Sequence, residues 1–206
     1  GEDTFYGSLV AQARVRGFQG TDYSANNKVL ATAKHWVGYG AAQAGRDYHT
    51  TDLSERALRE IYFPPFKAAV DAGVDSFMTS FNDVDGVPAT ANQFVLKKVL
   101  RDEWKFDGLV VSDYTAVMEL MFHGLAKDEA DAARYALNAG TDMEMVSRFY
   151  NKHGERLVRE LVDLVEIRAL LAIHLDVHVE LVHQRRGGGI LERLVRHHVA
   201  PVAGRI

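Results

Sequence analysis

Gly108-Leu109-Val110-Val111-Ser112-Asp113 is the stretch that decides the fold. Three apolar residues, two of them β-branched, follow a glycine and end in two polar ones. A short continuous apolar run bounded in this way reads as a strand buried on both faces. Working outward, Val29-Leu30-Ala31-Thr32-Ala33 and residues 74–79 read as two earlier strands of the same kind. Residues 142–145 read as a fourth.

The intervals between these runs have helical spacing. Residues 4–16 place Phe5, Leu9 and Val10 on one side. Ser54 with Glu55 opens a helix through Leu58 and Ile61 toward Ala69, which Pro64-Pro65 should interrupt and kink. Asn92 is placed to cap a helix through Val95, Leu96, Val99 and Leu100. Further helices are expected over 115–122 and 128–139. Strands buried on both faces and alternating with helices define a parallel α/β sheet, either open and doubly wound or closed as a barrel. In both, chemistry sits at the carboxyl ends of the strands. Those ends read Lys34-His35, Ser80-Phe81-Asn82, Asp113 and Glu144.

Composition bounds the rest. With 47% apolar and 25% charged residues, the 206-residue chain has an ordinary globular balance, and a complete α/β barrel usually needs more length. The net charge of −4 gives no reason to expect nucleic acid or an anionic membrane as partner. Cysteine is absent, which excludes a disulfide framework and a cysteine metal site. No apolar run reaches the roughly eighteen residues that span a bilayer. The opening residues, Gly1 to Ser8, have neither an initiator methionine nor the features of a signal peptide, so the chain is expected to be a piece of something longer.

After Tyr150 the character changes. All twenty aromatic residues precede residue 151, and six of the nine histidines follow it. The segment 151–206 is therefore set apart from 1–150 as an aromatic-free tail. It is either a charged helical extension or a stretch foreign to the domain.

Four constellations carry candidate chemistry. Asp113, at the end of its strand, could attack a sugar's anomeric carbon; on spacing alone it reads first as a cap for the helix that follows. Lys34 and His35 could donate to vicinal hydroxyls and hold a nearby carboxylate ionised, or be a surface lysine and a core histidine. Asp47 and His49, two apart in a loop, could form an acid/base dyad, or simply be solvated. In the tail, alternation would put His174, Asp176, His178 and Glu180 on one strand face as zinc or iron ligands, or as an exposed charged face. The spaced acids of 81–86 lack the remaining calcium ligands and read as a turn.

In order and spacing these motifs resemble glycoside hydrolase family 3. The matching stretches are Gly1-Glu2-Asp3, Lys34-His35-Trp36-Val37-Gly38-Tyr39-Gly40, Pro64-Pro65-Phe66, Asn82 through Gly86-Val87-Pro88-Ala89, Val111-Ser112-Asp113 and Ala139-Gly140-Thr141-Asp142-Met143-Glu144-Met145. The nearest subgroup is the bacterial periplasmic β-glucosidases, and the likeness covers residues 1–157. The resemblance implies a partial (β/α)8 TIM-like barrel and a retaining β-glucosidase chemistry with a covalent glycosyl-enzyme. Asp113 matches the nucleophile, Lys34 and His35 the pair that binds the terminal sugar, and Met78 a pocket-lining position. Phe81 falls where many members carry a tyrosine, so that hydroxyl contact is lost. The family's sugar-site arginine and an earlier aspartate lie upstream of the Gly-Glu-Asp motif, and the acid/base glutamate comes from a second domain. After Leu157 the tail departs from the family pattern, which favours reading it as foreign.

The resemblance further implies a small β-glucoside or oligosaccharide as partner, no cofactor or metal, and a periplasmic or secreted location. Two other readings remain open. One is the family's β-N-acetylglucosaminidase branch, with Asp47 and His49 as the dyad. The other is a catalytically incomplete fragment that binds sugar or metal. A partial barrel would also leave sheet edges free for self-association.

Overall fold

A computed structural model describes residues 3–22, 25–154 and 159. The chain divides into two units, Gly1–Leu157 and Val158–Ile206. The tail, with its candidate ligands His174, Asp176, His178 and Glu180, lies outside the described residues beyond 151–154 and 159.

Four parallel strands form the sheet: β1 (Thr32–Trp36), β2 (Ser76–Thr79), β5 (Leu109–Tyr114) and β6 (Met143–Met145). Between β2 and β5 lies a small antiparallel hairpin of β3 (Asp83–Val84) and β4 (Val87–Pro88). Its two-residue turn uses Asp85 and Gly86, both at positive φ, as a hairpin turn of this length requires. The spatial order β1-β2-β5-β6 follows the chain without reversal. A doubly wound sheet reverses its order at a switch point, whereas a barrel adds each strand beside the last. The sheet is therefore an arc of a (β/α)8-type barrel. No further strand pairs with the outer edge of β1 or β6 among the described residues.

Each strand is preceded by helix: α1 (Thr4–Gln19), then α2 (Glu55–Ala57) running through a π-helical turn into α3 (Phe63–Asp71), then the π-type helix Phe94–Glu103, then α4 (Ala116–Phe122) and α5 (Glu129–Ala139). Pro64 and Pro65 do not break their helix. They sit in the first turn of α3, and the bond they cannot make is bypassed when the Phe63 N–H reaches back five residues to Leu58 O. Asn92 caps as the sequence predicts, its Oδ1 accepting from Phe94 N (3.0 Å) and Val95 N (3.3 Å).

The first strand begins later than residues 29–33 imply. Val29 N donates to Phe18 O and Ala31 N to Gln19 Oε1, so this backbone is held by the end of α1 and not by the sheet. Val29 and Leu30 are accordingly 63% and 61% exposed. Gln19 also accepts from Asp75 N and donates to Gly73 O, tying the starts of β1 and β2 to one side chain. The shift has a consequence for the site: Lys34 and His35 lie within β1, not after it.

The main core lies between the sheet and its helices. Trp36 is fully buried, with the rings of Phe63, Phe66, Phe77 and Trp104 all centred 5.0–5.5 Å away. Burying these aromatics together with aliphatic side chains such as Leu96, Val99 and Leu100 stabilises this side of the sheet. A second cluster joins α4 and α5 through Val117, Leu120, Ala132 and Ala136. The opposite face of the sheet is open at Leu109 and Met143, 43% and 52% exposed.

Candidate active site

Alternation along the strands decides what reaches the open face. In β5, Val110 enters the helix-side core, so Leu109, Val111 and Asp113 share the other side. In β2, Phe77 enters that core, and Met78, the register partner of Val111, turns away from it. In β1, Trp36 is core and His35 points the other way.

His35 and Asp113 meet over the end of β2, the strand between theirs. His35 Nε2 lies 3.1 Å from Asp113 Oδ2, with side-chain exposures of 24% and 13%. The other carboxylate oxygen, Oδ1, accepts from Tyr114 N at 2.6 Å. Asp113 is thus fixed at both oxygens and does not cap α4: the capping position is Thr115, at φ 58, whose hydroxyl donates to the Glu119 carboxylate and accepts from no helix N–H. Behind it, the buried Ser112 Oγ donates to Asp113 O and accepts from Met145 N, locking β5 to β6.

Burial lowers the His35 pKa below its usual 6.5, with Lys34 in the same direction, against the opposing pull of Asp113 and Asp47. A neutral imidazole bonded to a carboxylate must carry its proton on the facing nitrogen, so Nε2–H donates to Asp113. Lys34 is exposed, close enough to act on His35 electrostatically, and has no hydrogen bond or ion pair among the described residues. The Lys34-His35 and Trp36-Val37 peptides are cis.

Phe81 stands with two tyrosines, its ring 4.7 Å from that of Tyr48 and 6.1 Å from that of Tyr39. Tyr39 in turn meets His35 edge to face at 5.0 Å. The alternative pairing of Asp47 with His49 is not formed. Asp47 Oδ1 accepts instead from the Tyr39 hydroxyl and from Tyr48 N, while His49 makes only a backbone bond to Arg46 O among the described residues. Burial, and the Asp47 carboxylate bonded to it, hold the Tyr39 hydroxyl well above its ordinary pKa. Burial, and Glu119 beside it, push Tyr48 up as well.

The remaining polar strand-end residues bond mainly to backbone. Ser80 Oγ donates to Val37 O, and the fully buried Asn82 donates to Val37 O and Thr51 Oγ1. Glu144 accepts from Tyr150 N at 2.7 Å. Tyr39 and Tyr48 are the site residues that the sequence reading assigned no role. Tyr39 lies within the quoted 34–40 motif, and its aromatic character between two glycines was the available signal.

Fold and site together define a barrel-type α/β domain with a carboxylate, hydrogen-bonded by a neutral histidine, at a strand's carboxyl end. A sequence model of the Glycosyl hydrolase family 3 N terminal domain matches residues 1–184. The periplasmic β-glucosidase of Salmonella typhimurium is 42% identical over 159 residues, 77% of this chain and 21% of that protein. A β-xylosidase of Formosa agariphila is 45% identical over 150 residues, 71% of this chain and 21% of its own length. The crystal structure of a β-glucosidase from Listeria innocua in complex with glucose superposes with a TM-score of 0.75 at 41% identity, covering 78% of this chain and 23% of that one. The chain belongs to glycoside hydrolase family 3, and spans about a fifth of the length of the curated relatives it matches.

Proposed function

We propose that this chain supplies the nucleophile side of a retaining β-glycosidase acting on terminal, non-reducing β-D-glucosyl residues. The observation that carries the reading is the His35–Asp113 contact at the open end of the sheet. An oxygen of Asp113 attacks the anomeric carbon, and the bond from that carbon to the leaving oxygen breaks with its electron pair. An acid from outside the described residues protonates that oxygen, and water then displaces Asp113 with retention of configuration. The His35 N–H withdraws charge from Oδ2 and holds the carboxylate in one orientation, which favours attack from a single defined geometry.

Met78 and Phe81 line the same side and would bound the sugar's apolar surface, with Lys34 free to reach its hydroxyls. The β-glucosidase names among the relatives support a glucosyl substrate. A β-xylosyl substrate is the second reading, supported by the β-xylosidase of comparable identity. The first of these relatives also supports a periplasmic or secreted location.

The test uses a 2-deoxy-2-fluoro-β-glucoside with a dinitrophenol leaving group. A leaving group that acidic departs without protonation, so the first step needs only the nucleophile. Mass spectrometry should show one glycosyl unit added, and peptide mapping should place it on Asp113. Label on any other residue would overturn the assignment.

A further inference from the structure

The Asp47 carboxylate, set beside a histidine two residues on in the sequence, is spent on something else in the fold. Its Oδ1 takes the Tyr39 hydroxyl and the Tyr48 amide together. Tyr39 stands four residues after His35, its ring centred 5.0 Å from the imidazole at 65°. Tyr48 closes the other side of the cluster through Phe81. The loop that carries Asp47 is exposed, and residues 43–49 all face solvent. Without the Asp47 bond, the Tyr39 ring has no polar anchor from this loop.

Resting on the nucleophile reading above, we propose that Asp47 and Tyr39 form a positioning pair. The carboxylate pins the tyrosine hydroxyl, the pinned ring abuts the edge of the His35 imidazole, and the imidazole is thereby held with Nε2–H aimed at Asp113 Oδ2. Asp47 is not an acid or base in this arrangement. It acts through two intermediaries, Tyr39 and His35, on the orientation of the nucleophile. An aromatic ring blocks rotation of its neighbour sterically, and its anchoring hydroxyl decides whether the ring stays in place. The charged groups that act on His35 are Asp113, Lys34 and Asp47. Replacing Asp47 therefore removes a negative charge as well as an anchor, whereas replacing Tyr39 by phenylalanine removes the anchor alone. The two variants separate the effects.

The experiment has two readouts on the full chain. One is the side-chain nitrogen spectrum of His35, which reports its tautomer and titration. The other is calorimetric affinity for isofagomine, a cationic sugar mimic that needs a correctly aimed carboxylate. Tyr39→Phe and Asp47→Asn should each weaken isofagomine by about tenfold. Each should also convert the single Nε2–H signature of His35 into a mixture of tautomers. Asp47→Glu should restore part of both, and His49→Ala should change neither. A purely structural role would lower the melting temperature and leave the His35 signature of the folded protein unmoved, which overturns the proposal. So would a His49→Ala loss equal to that of Asp47→Asn, since that is the behaviour of a dyad. If the unsubstituted chain fails to bind isofagomine, the sugar-site reading falls instead, and the His35 spectra still decide the positioning pair.

Discussion

The two faces of the sheet are made from the same strands and differ in almost everything else. Trp36, Phe77 and Val110 point to the helices and are completely buried. His35, Met78 and Asp113, their immediate neighbours or next-but-two in sequence, point to the open face, where Leu109 and Met143 remain accessible. Because side chains alternate, one residue's step along β1 crosses from a fully buried indole to a titratable ring at the site. The helix face holds the strands at fixed spacing, and the open face inherits that precision. Stability and chemistry are thus coupled through backbone, with little sharing of side chains, and substitutions on the two faces should have separable effects.

The largest separation is expected at Asp113. Asp113→Asn keeps the shape and the Tyr114 amide contact but removes the nucleophile. Labelling by the fluoroglucoside should fall by at least about four orders of magnitude, as loss of a nucleophile does elsewhere. The unfolding midpoint should stay close to that of the parent chain. A variant that still labels would show that the two faces had been assigned to the wrong tasks.

Trp36→Ala, one residue from His35, should do the reverse. Removing a fully buried indole surrounded by four rings should cost about 3–5 kcal/mol, measured by denaturant unfolding. For a domain of this size that is a large part of the total stability. Asn82→Ala comes next. Its amide nitrogen ties the Val37 carbonyl, just past β1, to Thr51, and the partners left behind are buried. A loss of about 1–3 kcal/mol is expected by the same measurement. Because Val37 follows the His35-Trp36 pair, this variant should also blur the comparison, weakening sugar binding by more than its stability loss explains.

How far the sequence foretold these features follows from what each depends on. The place of Asp113 at a strand's end was legible because the buried apolar run before it is a local signal; its role was not, since spacing alone fits a helix cap and only the resemblance points to a nucleophile. The Asn92 cap and the 81–86 turn were legible because local chemistry alone makes them. The start of β1 was misplaced because Val29-Leu30 looks like strand by propensity, while Gln19 and Phe18, ten or more residues earlier, claim its hydrogen bonds. The effect of Pro64-Pro65 was misread because a π-turn, a tertiary accommodation, absorbs it. The loop of Asp47 and His49 is solvated, the reading that spacing favoured over a dyad, but its bond from Asp47 to Tyr39, eight residues back, was not legible. Contacts across a fold are invisible to spacing.

The smallest effect, and the one that tests how the site is charged, is the pH dependence at His35. Its folded pKa lies below the unfolded 6.5 because burial disfavours the cation more than Asp113 and Asp47 favour it. In the window between the lowered value and 6.5, the unfolded chain binds more protons at this position than the folded one. Stability therefore rises with pH through that window and falls as acid is added, the opposite of a histidine gaining a strong ion pair. The slope from one such group cannot exceed about 1.4 kcal/mol per pH unit. Other histidines titrate nearby, so the measurement is a difference: unfolding midpoints of the parent chain and of His35→Gln, followed from neutral to mildly acidic pH. The parent should lose stability faster than the variant. If it instead gains relative stability on acidification, His35 is held as a cation by Asp113, and the site is an ion pair in place of a carboxylate aligned by a neutral donor.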